Sequence, residues 1–363
     1  MLRTALYDWH RQAGAKWVEF AGWEMPIQYQ GVIAEHRAVR TQVGMFDISH
    51  MGRFILRGSQ VRAQLNRLVP TDLSPLLPGQ SQYTVLLTEQ GTILDDIICY
   101  CLTDTDWLVI VNGARRIPDW EWLRHHLTGI TMEDWGSSHL LFAIQGPGAI
   151  PSLQPCFQED LSVLKRFQHQ PMTLRDPEST PVFVARTGYT GEDGCEVMLP
   201  VAAGLWLWRT CAERGIPACG LGCRDTLRLE AGMHLYGQDM DTSTTPLAAG
   251  LGWLIHWHKE DFMGREALVQ QRQQGLTQQL VGLQILGREI ARTGYPILSA
   301  GEKVGHVTSG TLSPTLGIPI ALGYVPPSLA KVGTPLSIAI RSKAVPAQVV
   351  KRPFYRSPCP APR

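Results

Sequence analysis

The 363-residue sequence has almost no net charge, +1 at pH 7 from 33 Lys and Arg against 32 Asp and Glu. That balance excludes a broad attraction to nucleic acid or to an anionic membrane, so an anionic ligand has to be met by a local cluster. No apolar run of 18 residues occurs, which argues against a membrane-spanning helix. The opening Met1-Leu2-Arg3-Thr4-Ala5-Leu6 lacks an apolar leader core, so the expectation is a protein that is not exported. The eight cysteines, at 99, 101, 156, 195, 211, 219, 223 and 359, contain no Cys-x-x-Cys pair. Without that spacing or a leader, disulfides are not expected and a reducing cytoplasm fits best. Cys219 and Cys223 have no further ligands at metal spacing, so no metal is expected. What the chain does have is an ordinary globular composition, 44% hydrophobic, long enough for two or three domains with sizeable cores.

The most informative stretch is Arg186-Thr187-Gly188-Tyr189-Thr190-Gly191-Glu192-Asp193-Gly194-Cys195-Glu196, which sets an aromatic and three carboxylates among three glycines. Val182–Ala185 before it and Cys195–Leu199 after it have strand character, and Glu196 projects from the second strand beside the loop. A simple hairpin needs only one or two glycines; three permit positive φ and close approach of backbone to a ligand. The alternative is a Gly-rich turn with a solvated acidic tip.

Taken in order, residues 20–31 read as a packed loop in which Trp23 and Met25 line either a pocket or the core. Ile33–Val43 has helical spacing, with His36 and Arg40 on one face and Gly44 as its stop. Met45–Met51 reads as a strand; Ser49 and His50 then point to opposite faces, which disfavours a nucleophilic pair. From 53 to 141 strands and helices alternate as an α+β sandwich, with helices on one face of an antiparallel sheet. Ser59 is expected to cap a helix through Leu68, Glu89-Gln90-Gly91 joins two strands, and Ile117–Leu127 forms a second helix. Beyond Gln270 the chain turns polar, then becomes short strands broken by Gly and Pro, spaced as a small β-barrel. The expected division is residues 1–52 with 142–275 as a discontinuous first domain, 53–141 as an insert, and 276–363 as the barrel.

Two places carry charge where structure alone does not ask for it. Asp95-Asp96 interrupts Ile93-Leu94 and Ile97-Ile98, so one carboxylate faces inward, and a desolvated carboxylate is costly unless it is paired or used. The alternative is an edge-strand ion pair. Tyr83 and Asn112, on neighbouring strands, converge on the same face. Further on, Cys219-Gly220-Leu221-Gly222 brings small residues to a helix start, where backbone donors favour an anion. Arg224 and Arg228 follow at i and i+4 with Glu230 near, as a bidentate carboxylate clamp or as a salt-bridge ladder.

The chain resembles the glycine cleavage T-protein family, the aminomethyltransferases, from Leu6 to about Arg356. The stretches that carry the likeness are Phe20-Ala21-Gly22-Trp23-Glu24-Met25-Pro26, Gly44-Met45-Phe46-Asp47-Ile48-Ser49-His50-Met51, Leu94-Asp95-Asp96, Thr187–Glu192, Gly222–Gly232, Leu235–Met240, Thr308-Ser309-Gly310 and Ser313–Gly317. The resemblance implies a three-domain ring with folate in a central channel. It implies transfer of an aminomethyl group from the lipoyl arm of H-protein to tetrahydrofolate, giving 5,10-methylenetetrahydrofolate and ammonia. It also implies Asp95 as the catalytic carboxylate, and Tyr83, Asn112, Tyr189, Glu196 and Arg224 as folate-binding positions. Met233 departs from relatives that carry an aromatic there. The sequence lacks the Lys-Gly-Cys-Tyr-x-Gly-Gln-Glu motif of a related iron-sulfur assembly branch, and the remaining alternative is a folate-binding regulatory or assembly protein without turnover.

Overall fold

Period-two alternation of apolar residues builds most of this chain, and each alternating strand must bury one face. The computed structural model describes residues 1–362. A first antiparallel sheet runs in the order His169–Thr173, Pro181–Ala185, Gly194–Pro200, His139–Gln145, Gly44–Asp47. A second runs Gln80–Leu87, Ile93–Cys101, Asp106–Val111, Gly52–Arg57, Thr131–Asp134. The C-terminal strands, from Gln279–Ile285 to Lys343–Val350, close into a six-stranded barrel.

Each sheet covers its outer face with helices. Cys195, Val197 and Leu199 pack with Leu207, Trp208 and Cys211 of the helix Val201–Glu213. Ile97, Cys99 and Cys101 pack with Leu65 and Leu68 of the helix Val61–Leu68 and with Leu123 of the helix Arg116–His126. The inner faces pack on each other through Phe46, Leu141 and Met198 from one sheet and Ile55, Tyr100 and Leu108 from the other. The barrel has its own core of Leu283, Ile297, Val307, Ile338 and Val349.

Several expectations are corrected locally. The strand expected through Met51 ends at Asp47, and Ile48 to Met51 form a turn. Asp47 ends it because its buried carboxylate accepts from Thr4 Oγ1, at 2.6 Å, and from the Ser49 N–H, at 2.9 Å. The helix Val61–Leu68 begins without a side-chain cap, and Gln60, not Ser59, stands at its N-cap. Trp23 and Met25 are buried and lie outside the cavity described below, so the core reading holds for them.

Candidate functional site

A cavity of about 920 Å³ opens where the two sheets and the barrel meet. Tyr83, Asp96 and Asn112 line it from the second sheet, Glu196 from the first, and Val281 and Val350 from the barrel. Tyr189 and Arg224 complete the set, so it gathers every expected site residue except Asp95.

Alternation explains the exception. Asp95 shares a face with Ile97, Cys99 and Cys101, the face covered by helices, and is fully buried. Asp96 shares the other face with Ile98, and both border the cavity. A β-bulge lies beside the pair, where Leu86 is opposite Asp95 and Leu87 opposite Ile93, and bulges of this kind re-aim side chains next to sites. The carboxylate expected inward at 95 is therefore inward to the core, and the one presented to the cavity is Asp96.

Asp96 is held from two sides. Tyr83 Oη donates to its Oδ2 at 3.1 Å and Asn112 Nδ2 to its Oδ1 at 2.7 Å. Burial is the main cause that pushes its pKa up to about 7, against those two donors. Asn112 is itself pinned by Asp95, which accepts from its N–H at 2.9 Å and from its Nδ2 at 2.8 Å. Tyr83 stacks on Trp253, with ring centroids 6.2 Å apart; Trp253 is 63% exposed and lines the same cavity.

Across the cavity, Arg224 lies over the Tyr189 ring, 4.6 Å from its centroid, while the Tyr189 hydroxyl donates to the His234 carbonyl. Arg224 Nη1 is buried with no partner among the described residues, and desolvation lowers the guanidinium pKa. Glu196 alternates with Cys195 and Val197, which places it on the cavity face; its Oε2 accepts from Thr187 Oγ1 at 2.6 Å. Burial raises its pKa, opposed by Thr187 and by Arg224.

Other charged candidates are spent on structure. In the glycine loop, Glu192 pairs with Arg40 at 2.8 Å and Asp193 with Arg186 at 2.6 Å, so only Glu196 of the three carboxylates is left facing the cavity with bonding capacity. The loop needs its glycines for contact: a Cβ at Gly188 would strike the Gln145 side chain, and Gly191, at φ +82°, lies against Ala231. Arg228 pairs with Asp225 at 2.7 Å and Asp239 at 2.5 Å and donates to Ser309, so it is no clamp partner for Arg224. The start of the helix Leu221–Glu230 is closed from within, because the Gly220 N–H donates to Glu35 at 2.8 Å. Glu35 also lies with Cys219 and Cys223 in a cluster whose ligand atoms fall within 4.8 Å. Its carboxylate already accepts the N–H groups of Tyr29, Gln30 and Gly31 besides Gly220, which occupies most of what a cation would need. Ser49 exchanges hydrogen bonds with the Leu141 backbone and none with His50, so no nucleophilic pair forms.

His50, Tyr236, Trp253 and Arg352, to which the sequence assigns no role in the site, also line the cavity. His50 is buried with Nδ1 unpartnered, and burial, then Arg224, hold its pKa down at about 4, so it is neutral at pH 7. Trp253 is one of three aromatics close in sequence, and the other two, Trp257 and Phe262, pack in a core cluster while Trp253 reaches the cavity.

Residues 6–259 match the GCVT N-terminal domain and residues 278–356 the glycine cleavage T-protein C-terminal barrel domain. The chain is 54% identical over 359 residues to the aminomethyltransferase of Picosynechococcus sp., covering 98% of each. It is 53% identical over 357 residues to that of Thermosynechococcus vestitus, covering 98% of this chain and 96% of the relative. The crystal structure of glycine cleavage system aminomethyltransferase T from Bartonella henselae superposes with a TM-score of 0.92 at 33% identity, over 100% of this chain and 99% of that one. These relatives carry a transferase name over the full length, which disfavours a binding protein without turnover. Both domains of the family are thus present in order and the fold agrees throughout, so this chain belongs to the glycine cleavage T-protein family of aminomethyltransferases.

Proposed function

We propose that tetrahydrofolate binds in the cavity and that its carbon donor is the aminomethylated lipoyl arm of H-protein. The observation that carries this reading is Asp96, the cavity-facing carboxylate held by Tyr83 and Asn112 with its pKa pushed to about 7. In the overall exchange the aminomethyl carbon leaves sulfur and nitrogen and ends between two folate nitrogens. Their two N–H protons end on the lipoyl sulfur and on ammonia. A group that both takes and gives a proton near neutral pH suits that traffic, and Asp96 supplies it. Tyr83 and Asn112 fix its orientation.

The remaining lining fits a flat, polar, partly anionic ligand. Tyr189 under Arg224 and Tyr83 beside Trp253 offer ring faces; Glu196 accepts from a ring N–H; unpartnered Arg224 Nη1 donates to an acceptor. The volume, about 920 Å³, is in the range of small-molecule sites. We assign the acid-base role to Asp96 and folate contacts to Tyr83, Asn112, Tyr189, Glu196 and Arg224. No metal enters this scheme. No helix among the described residues is long and apolar enough to cross a membrane, and we place the reaction in the cytoplasm. We divide the chain into residues 1–52 with 142–275, 53–141 and 276–363. A coupled assay tests the reaction: ammonia release should need tetrahydrofolate and aminomethylated H-protein together. Equal release with folate left out would refute the reading of the cavity.

A further inference from the structure

Behind Asp96, on the covered face of the same strand, lies chemistry that the transfer scheme does not use. Asp95 is fully buried, and both its oxygens accept from Asn112. Asp119, from the helix Arg116–His126, is also fully buried. Neither of its oxygens has a hydrogen-bond donor among the described residues; its one cationic neighbour is Arg115, at 3.4 Å. Asp119 adjoins Asp95, and a proton carried on Asp95 is the donor that the buried Asp119 oxygens otherwise lack. Two ionised carboxylates offer only acceptors, so such a bond requires a proton between them. Leaving both charged would add repulsion to the desolvation of each.

We infer that Asp95 and Asp119 share one proton, carried on Asp95 with the charge on Asp119 beside Arg115, and that this pair positions Asn112 and sets the ionisation of Asp96. The inference rests on the reading of Asp96 as the acid-base group. The link is Asn112 Nδ2, which donates to Asp95 and to Asp96 alike, at 2.8 Å and 2.7 Å. Burial, then Asp119, hold Asp95 well above the usual carboxylate range. Asp119, closer to Arg115, is pushed by burial only to about 6. The other ionisable groups facing the pair are Asp96 on the same strand, Tyr83 on the next, and Tyr236, whose ring lies under the Arg115 guanidinium at 5.6 Å. Arg115 is thus the single cation in this set. The shared proton keeps a second negative charge from lying directly behind Asp96, which lets Asp96 ionise near neutral pH. Asp119 is in this account a positioning residue, since it does not line the cavity.

The test is Asp119→Asn in the full chain. Its amide donates to Asp95 and accepts from Arg115, so the contacts survive while the negative charge moves onto Asp95. The acid limb of kcat should shift to higher pH by about one unit, the scale of a like charge brought near. The infrared carbonyl band of a protonated carboxyl, present in the wild type at about pH 8 where an ordinary carboxylate is ionised, should be lost in the variant. A kcat lowered equally at every pH, or an unmoved limb, would reduce Asp119 to a structural residue and overturn the inference. So would a wild type without the protonated band. Should Asp119→Asn fail to fold, Asp119→Ser, whose hydroxyl also donates to Asp95, provides the same readout. The band does not depend on turnover: full activity in Asp96→Asn would defeat the reading of Asp96, and absence of the band would defeat the pair.

Discussion

The junction between the helix Leu221–Glu230 and the barrel differs from the cavity in how completely its polar atoms are matched. At the junction, Glu230 accepts from Arg40 Nε and Nη2 at 3.1 and 2.9 Å, from the Thr315 N–H and hydroxyl at 3.0 and 2.7 Å, and from Ser313. Asp239 takes Arg228, Thr308 and Ser309 in the same way. In the cavity, Arg224 Nη1 and His50 Nδ1 have no partner among the described residues, and Glu196 accepts from one side-chain donor. Buried polar groups cost free energy unless they are bonded. A closed network is accordingly what holds one domain on another, and a buried group with spare valence indicates where a ligand completes the set. Arg224 and Arg228 state the contrast on one helix turn: the same residue type, Arg228 fully buried and fully bonded, Arg224 partly buried with Nη1 left unpartnered.

Substitutions in the cavity and at the junction should act differently. The largest effect should come from Asp96→Asn, which keeps the shape of the carboxylate and loses its proton chemistry. Turnover should fall by roughly 10² to 10⁴ with folate binding within about tenfold of the parent. Ammonia release beside a folate titration reads both, and a larger loss at Asp95→Asn would return the acid-base role to Asp95. Next in size is Glu230→Gln at the junction, which leaves Arg40 short of a counter-charge in a buried network. It should cost about 3 to 5 kcal/mol in urea unfolding; a cost below about 1 kcal/mol would mean that the network contributes little beyond burial. Arg224→Met should do the reverse, weakening folate binding by about 1 to 3 kcal/mol while leaving stability nearly unchanged. Loss of stability with unaltered folate affinity would show Arg224 to be structural after all.

Smaller effects follow from pH. Because Asp96 is pushed up to about 7, turnover that needs it ionised should rise with pH through that value. Its effect on stability has the opposite sign. A carboxylate whose folded pKa is raised is protonated more readily in the native state, so native stability falls as pH climbs from the ordinary aspartate value of 3.8 to about 7. Asp96→Asn removes that penalty, and its apparent Tm relative to the parent should be higher by roughly 2 °C at about pH 8 than at about pH 5. No pH dependence in the difference would mean that water in the cavity already solvates Asp96 fully.

Local periodicity suffices for much of the architecture. The barrel, the helix-covered sheet and the hairpin through Gly91, which takes φ +72°, follow from alternation and turn chemistry. So does the side on which Glu196 falls, because Cys195, Val197 and Leu199 are apolar and one face is marked. Tertiary structure decided what alternation leaves symmetric. The strand Ile93–Cys101 is apolar on both faces, one packed on helices and the other on a second sheet and the cavity, so nothing local says which of Asp95 and Asp96 meets the ligand. Tertiary structure likewise chose between Arg224 and Arg228 and removed Glu192 from the site, because Asp239 and Arg40 are brought to Arg228 and Glu192 by the fold, whereas Asp193 is taken by Arg186 within its own loop. Periodicity reports which face of an element is buried, and only the packed neighbours determine whether that face meets core, counter-ion or an open cavity.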